Sequence, residues 1–179
     1  GSGQLGHVVP APDRYRGRLV PSEAVADLDD VEQVAAGLQS DVTCARKRDG
    51  TVRCWGGVYS HRATQVPFPE RVNQVTHGDH HLCALFQSGT VACLGSNDSG
   101  QLGDGTKEAR RQATKVKSLD GVVEIAAGGS HTCARKRDGQ VWCWGNGWSG
   151  AVGSGTRTYA LEPTVVQGIS EAIGLTCGW

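Results

Sequence analysis

The chain contains no methionine, not even at position 1. It reads as a fragment or processed piece of a longer array, and Gly1-Ser2 is also what a cloning scar would leave. It has no apolar run near the ~20 residues of a membrane span, and neither a signal peptide nor an anchor is visible. It has no net charge, with 18 basic and 18 acidic side chains. A neutral surface offers no general field for nucleic acid, so no nucleic-acid partner is expected. The clusters Arg46-Lys47-Arg48 and Arg135-Lys136-Arg137 each sit beside an aspartate and read as solvated hairpin tips, not phosphate sites. No nucleophile, base and orienting acid appear at a catalytic spacing. The expectation is no catalytic residue, no cofactor and no enzyme activity.

What is abundant is glycine, at 26 residues, and what is regular is cysteine. Six of the seven cysteines form pairs ten residues apart, Cys44 and Cys54, Cys83 and Cys93, Cys133 and Cys143. Each pair brackets a turn signal inside a recurring unit. Val122–Thr156 reads VVEIAAGGSHTCARKRDGQVWCWGNGWSGAVGSGT and Val72–Thr106 reads VNQVTHGDHHLCALFQSGTVACLGSNDSGQLGDGT. Val31–Gly56 is a shorter copy that lacks the stretch the second unit carries as Ser96–Thr106. Repeats at such a period specify a solenoid or a propeller. The units are expected at 31–71, 72–121 and 122–171, preceded over 1–30 by the tail of another repeat and followed over 172–179 by the head of a truncated one.

Each unit holds short runs such as Val-x-x-Val-Ala-Ala-Gly, Thr-Cys-Ala-Arg-Lys-Arg and Val-Trp-Cys-Trp-Gly, which carry the strand signature. A fourth run, Thr114–Lys117 or Thr164–Gln167, completes the unit. The second and third runs are joined by Asp-Gly or Ser-Gly turns in which Gly50, Gly89 and Gly139 take the left-handed position of a three-residue loop. If Lys47 faces Thr51, Cys44 lies directly opposite Cys54 as a non-hydrogen-bonded pair, at the short edge of disulfide geometry. The same count holds for the other two pairs. Three coincident spacings favour disulfides over buried thiols, and oxidised pairs imply an extracellular, cell-surface or periplasmic setting. Cys177 aligns with Ala127 and so stands outside this framework, as a core residue or an exposed end.

The ordered motifs Val122–Ala134, Asp138–Gly145 and Asn97–Gly105 resemble the repeat of the regulator of chromosome condensation family. That resemblance implies an all-β fold, a β-propeller of four-stranded antiparallel blades. Here it is an incomplete array of about three to three and a half blades. The paired cysteines resemble the secreted bacterial branch of the family.

Several local motifs are better explained by the repeat than by chemistry. His77-Gly-Asp-His80-His81 has the look of a metal tract, yet His81 matches His131 of the next unit. Both are expected to be structural, bonding backbone between blades, and no metal site is expected. Gly100–Lys107 only approximates a phosphate loop, and Leu102 stands where a calcium loop needs glycine. What remains is the loop after the third strand, Ser96–Asp104 or Asn146–Ser154. Such loops gather on one face of a propeller, where function usually resides. The candidate binding residues are Asn97, Asp98, Gln101, Asp104, Asn146, Trp148 and Ser149. Trp148 is either an exposed interaction anchor or packed on the neighbouring blade.

The leading reading is a non-catalytic protein-binding propeller, secreted or surface-displayed. Guanine-nucleotide exchange on a small GTPase, the founding activity of the family the chain resembles, would need a dedicated wedge and a reducing cytosol. A tryptophan-based UV photoreceptor would need aromatic residues where Asp79 and Gly129 stand, although Trp179 fits that pattern. The partner is expected to be another protein, or a second copy whose self-association closes the ring, because three units leave flanks exposed.

Overall fold

The computed structural model describes residues 28–37, 39–59 and 62–178. The repeat tail expected at Ser2–Gly6 and the photoreceptor pattern at Trp179 lie outside the described residues. The described chain is all-β. It forms twelve strands in three four-stranded antiparallel meanders: β1 (Val31–Ala36) to β4 (Thr64–Val66), β5 (Val72–His77) to β8 (Arg110–Lys115), and β9 (Val122–Ala127) to β12 (Ala160–Val165). Each meander is one blade. Among the described residues no helix is long and apolar enough to cross a membrane.

The hairpin of each blade follows from its tip. In β2 (Val42–Lys47) and β3 (Val52–Gly56), the Lys47 N–H bonds the Thr51 carbonyl at 2.9 Å, and Gly50 N–H returns to Lys47 O at 2.9 Å. That closure needs a left-handed residue, and Gly50, Gly89 and Gly139 hold φ of 84°, 78° and 81°. Counting back from the tip sets Cys44 opposite Cys54, Cys83 opposite Cys93 and Cys133 opposite Cys143. All three pairs are disulfides with Cα atoms 4.1 Å apart.

The same glycines join neighbouring units. Gly50 O accepts from Val72 N at 3.2 Å, Gly89 O from Val122 N at 3.0 Å, and Gly139 O from Ala172 N at 3.1 Å. Each tip therefore grips the start of the next unit.

The fourth strand differs from the expectation. β8 and β12 cover Arg110–Lys115 and Ala160–Val165, so they begin four residues before the predicted runs and leave Val116 and Val166 beyond the strand. The reason lies in the register. A shift between Cys93 and Gly95 lets Gly95 pair with Arg110, which extends the ladder toward the loop.

The cores lie between blades. Val42, Val52, Val75, Leu82 and Phe86 pack between the first two blades, and Leu85, Leu102, Ile125 and Trp144 between the second and third. The Cys133–Cys143 pair, Val141 and Val152 pack against Ala172, Leu175 and Cys177. A blade has two faces to bury, and each neighbour covers one.

The inner strands are joined by a side-chain clasp. Gln33 in β1 donates Nε2–H to Val75 O at 2.9 Å and accepts from Val75 N at 2.9 Å. Gln74 in β5 does the same to Ile125 in β9, at 3.0 and 2.9 Å. A bulge precedes each glutamine, which turns its amide toward the neighbouring strand. Glu124 occupies the same place in β9 and instead pairs with Arg135 Nε at 2.8 Å inside its own blade.

Candidate functional site

The loop between β7 (Val91–Gly95) and β8 is built around buried polar groups. Asn97 Nδ2 donates to Asp104 Oδ1 at 3.1 Å and to Thr106 O at 3.0 Å, and its Oδ1 accepts from Leu102 N at 3.0 Å. Asp104 also accepts from Thr106 N at 2.9 Å and from Arg110 Nε at 2.9 Å. Burial raises the Asp104 pKa, but the bonds from Thr106, Arg110 and Asn97 outweigh it and hold the carboxyl below its ordinary value. Gln101 Oε1 accepts from Ser99 N at 3.0 Å. Asn97, Gln101 and Asp104 are all buried. The sequence reading placed them on an exposed binding loop. The structure instead uses them as the frame of that loop, because an irregular backbone next to a core must have its polar groups satisfied from within.

The Gln101 carbonyl also anchors the next blade. It accepts from Trp144 Nε1 at 2.9 Å and from Thr132 Oγ1 at 3.0 Å. Thr132 Oγ1 lies 2.8 Å from His81 Nε2. Since the hydroxyl proton goes to Gln101, His81 must donate from Nε2, and its Nδ1 is left as a buried acceptor with no partner. Protonation would add a second N–H that finds nothing. Burial first, then the neighbouring imidazoles of His77, His131 and His80, push the His81 pKa down to about 3. His81 thus bonds across blades as expected, but to a side-chain hydroxyl, not to backbone. His77 Nδ1 bonds Gly78 O, and His77, His80 and His81 do not converge as a metal-holding group among the described residues.

In the third blade the corresponding frame is gone. Fifty residues on from Asn97, Gln101, Asp104 and Arg110 stand Gly147, Ala151, Ser154 and Ala160. What ties the loop there is lighter, with Asn146 Oδ1 accepting from Trp148 N at 3.0 Å and Ser154 Oγ close to Thr156 Oγ1 at 3.0 Å. Trp148 is 61% exposed and Tyr159 39%. Their rings meet edge to face with centroids 6.0 Å apart. Lys107 reaches over from the second blade, its Nζ 3.9 Å from the Tyr159 centroid. Asp98 and Ser149 are also exposed, whereas Asn146 is half-buried. Of the seven candidate residues, the exposed ones are Asp98, Trp148 and Ser149, and the structure adds Lys107 and Tyr159. Trp148 leans on a tyrosine of its own blade and stays exposed, so it is not packed on the neighbouring blade.

The repeat matches the family model for the regulator of chromosome condensation (RCC1) repeat over residues 88–135 and 138–179, just over half of the chain. A second RCC1 repeat model matches 122–150. The chain belongs to the RCC1 repeat family. Solved RCC1 propellers share its fold. Yeast RCC1 (Prp20) bound to Kap60 superposes with a TM-score of 0.77 at 23% identity, covering 93% of this chain and 42% of that one. Prp20p from Saccharomyces cerevisiae, described with its binding to Gsp1p and histones, gives 0.77 at 22% identity and covers 93% and 44%. Human WBSCR16 gives 0.73 at 27% identity and covers 83% and 42%. The chain therefore spans less than half the length of these propellers. No curated protein matches the sequence.

Two features of the site were not readable beforehand. Lys107 and Tyr159 lie in different units, in stretches without strand alternation, so nothing in the sequence joins them. The loss of the polar frame in the third repeat was legible, since Gly147, Ala151 and Ser154 align with Asn97, Gln101 and Asp104. Its meaning required knowing that those three are buried.

Proposed function

We propose that this chain is a non-catalytic, protein-binding part of an RCC1 propeller that acts through the loop face around Trp148, in an extracellular, cell-surface or periplasmic setting. The observation that carries the reading is Trp148, exposed at 61% beside Tyr159 and the Lys107 ammonium, on a loop that lacks the polar frame of its counterpart in the second blade. Exposed tryptophan and tyrosine are the residues that most often dominate binding energy at protein interfaces. The yeast propellers of the same fold are described with protein partners, Kap60 in one case, Gsp1p and histones in the other. Three disulfides suggest an oxidising, extracellular-type environment.

The test is a photo-crosslinking amino acid at Ser149, used to identify the partner in a secreted-protein fraction, followed by affinity measurement with Trp148→Ala and Tyr159→Ala. Trp148→Ala should weaken binding at least tenfold, about 1.4 kcal/mol or more, with an unchanged melting temperature. A partner whose affinity neither substitution alters would move binding to another face and refute the reading. A crosslink to a second copy of the chain would identify self-association as the interaction.

A further inference from the structure

The seventh cysteine, Cys177, is the one cysteine that stands outside a disulfide. Cys177 lies in the segment that packs on the outer side of the third blade, in the same apolar cluster as Cys133 and Cys143. Its thiol donates weakly to Ala126 O at 3.5 Å. Its sulfur, the Cys133 sulfur and a ring nitrogen of His131 all lie within 4.8 Å of one another. Cys133 is already bonded to Cys143, so what the three groups form is a free thiol set against a disulfide, with an imidazole beside both. The place Cys177 occupies is Ala127 in the preceding unit, so the Cys83–Cys93 bond has an alanine where Cys133–Cys143 has a thiol.

We propose that Cys177 exchanges with the Cys133–Cys143 disulfide, converting a clip inside the third blade into a tether between that blade and the segment after it. Cys177 loses its proton to solvent base or to His131. Its thiolate bonds Cys133 Sγ while the Cys133–Cys143 bond breaks. The electron pair leaves on Cys143 Sγ, which takes up a proton. One disulfide and one thiol enter and leave, so no oxidant or reductant is consumed. Burial pushes the Cys177 thiol up to about 11, which keeps the thiolate scarce at neutral pH and the two linkages slow to interchange. Exchange is therefore a latent rearrangement, accelerated by alkali or by any motion that wets the segment.

The 179-residue chain, held natively without added thiol at pH 6.5, 7.5 and 8.5, is quenched at intervals with a maleimide and mapped by peptide mass spectrometry. The expected result is label appearing on Cys143 together with a Cys133–Cys177 peptide. Its initial rate should rise about tenfold per pH unit, as a thiolate fraction does below the thiol pKa. Cys44–Cys54 and Cys83–Cys93 stay intact as internal controls. In Cys177→Ala, a residue the equivalent place already holds, Cys143 stays unlabelled. Label confined to Cys177 at every pH and time would overturn the proposal, as would equal Cys143 labelling in Cys177→Ala.

Discussion

Replacing the glycine at a hairpin tip by alanine should cost very different amounts in different blades, although the backbone there is nearly identical. Gly89 and Gly139 hold φ of 78° and 81°, so the penalty for placing a Cβ on a left-handed residue is common to both, about 1–2 kcal/mol. The surroundings are not common. A Cβ at Gly89 would find its nearest neighbour, Gly121 Cα, at 3.5 Å. At Gly139 it would stand 2.7 Å from Ser170 O, 2.9 Å from Glu171 Cα and 3.1 Å from Ala172 N. Those are backbone atoms of the segment gripped by the Gly139 carbonyl, so relief requires that segment to move. Overpacking of this kind costs about 1–3 kcal/mol. Gly139→Ala should then lose about 2–5 kcal/mol and Gly89→Ala only the first part, about 1–2 kcal/mol. Urea unfolding followed by tryptophan fluorescence measures both, provided the m-value is unchanged. Equal losses would refute the claim that the third tip is wedged against the backbone of Ser170–Ala172. No loss at either site would remove the left-handed turn and the cysteine register derived from it.

Three further outcomes are expected. The buried His81 binds its proton only near pH 3 when folded but near 6.5 when unfolded, so its contribution is intact above about 6.5 and lost as pH falls toward 3. That loss is about 2 kcal/mol at pH 5 relative to pH 7, and a flat urea midpoint between pH 7 and 5 would contradict it. Trp144→Ala removes a fully buried ring and the donor to Gln101 O and should cost about 3–5 kcal/mol, whereas Trp144→Phe should cost less; calorimetry distinguishes them. Gln74→Glu keeps the acceptor for Ile125 N but loses the donor to Ile125 O, and should destabilise by about 1–3 kcal/mol, read from chemical denaturation. The same change at an exposed site such as Gln112 should be within about 0.5 kcal/mol.

What the sequence disclosed and what it concealed divide along the range of the interactions. The cysteine pairs were legible because ten residues and one glycine set a hairpin whose register is decided locally. Strands β1–β3 and their counterparts followed from alternation between turn residues. The fourth strand was misplaced because its ladder is fixed by the Gly95–Arg110 pairing, which no local pattern announces. Asn97, Gln101 and Asp104 were misjudged for a related reason. Polar residues in a glycine-rich loop look like surface, and only the packing of the following blade, with Trp144 and Thr132 reaching for Gln101, puts them inside. The Gln33 and Gln74 clasps span 42 and 51 residues, beyond the reach of any reading by spacing.

Those clasps also bear on how such a chain can grow. Each reads only the main-chain N–H and carbonyl of the strand it grips, and every peptide unit offers the same two groups. The clasp itself therefore makes no demand on the side chains of the incoming blade, unlike the packed core beside it. A duplicated unit carrying its own glutamine keeps this main-chain clasp with whichever copy comes next, so only the core contacts have to be matched. The outer loops are released to diverge, as the loss of the polar frame around Trp148 illustrates. Glu124 breaks the pattern, and with it the interchangeability: the third unit has exchanged a fitting that accepts any successor for one committed to its own blade.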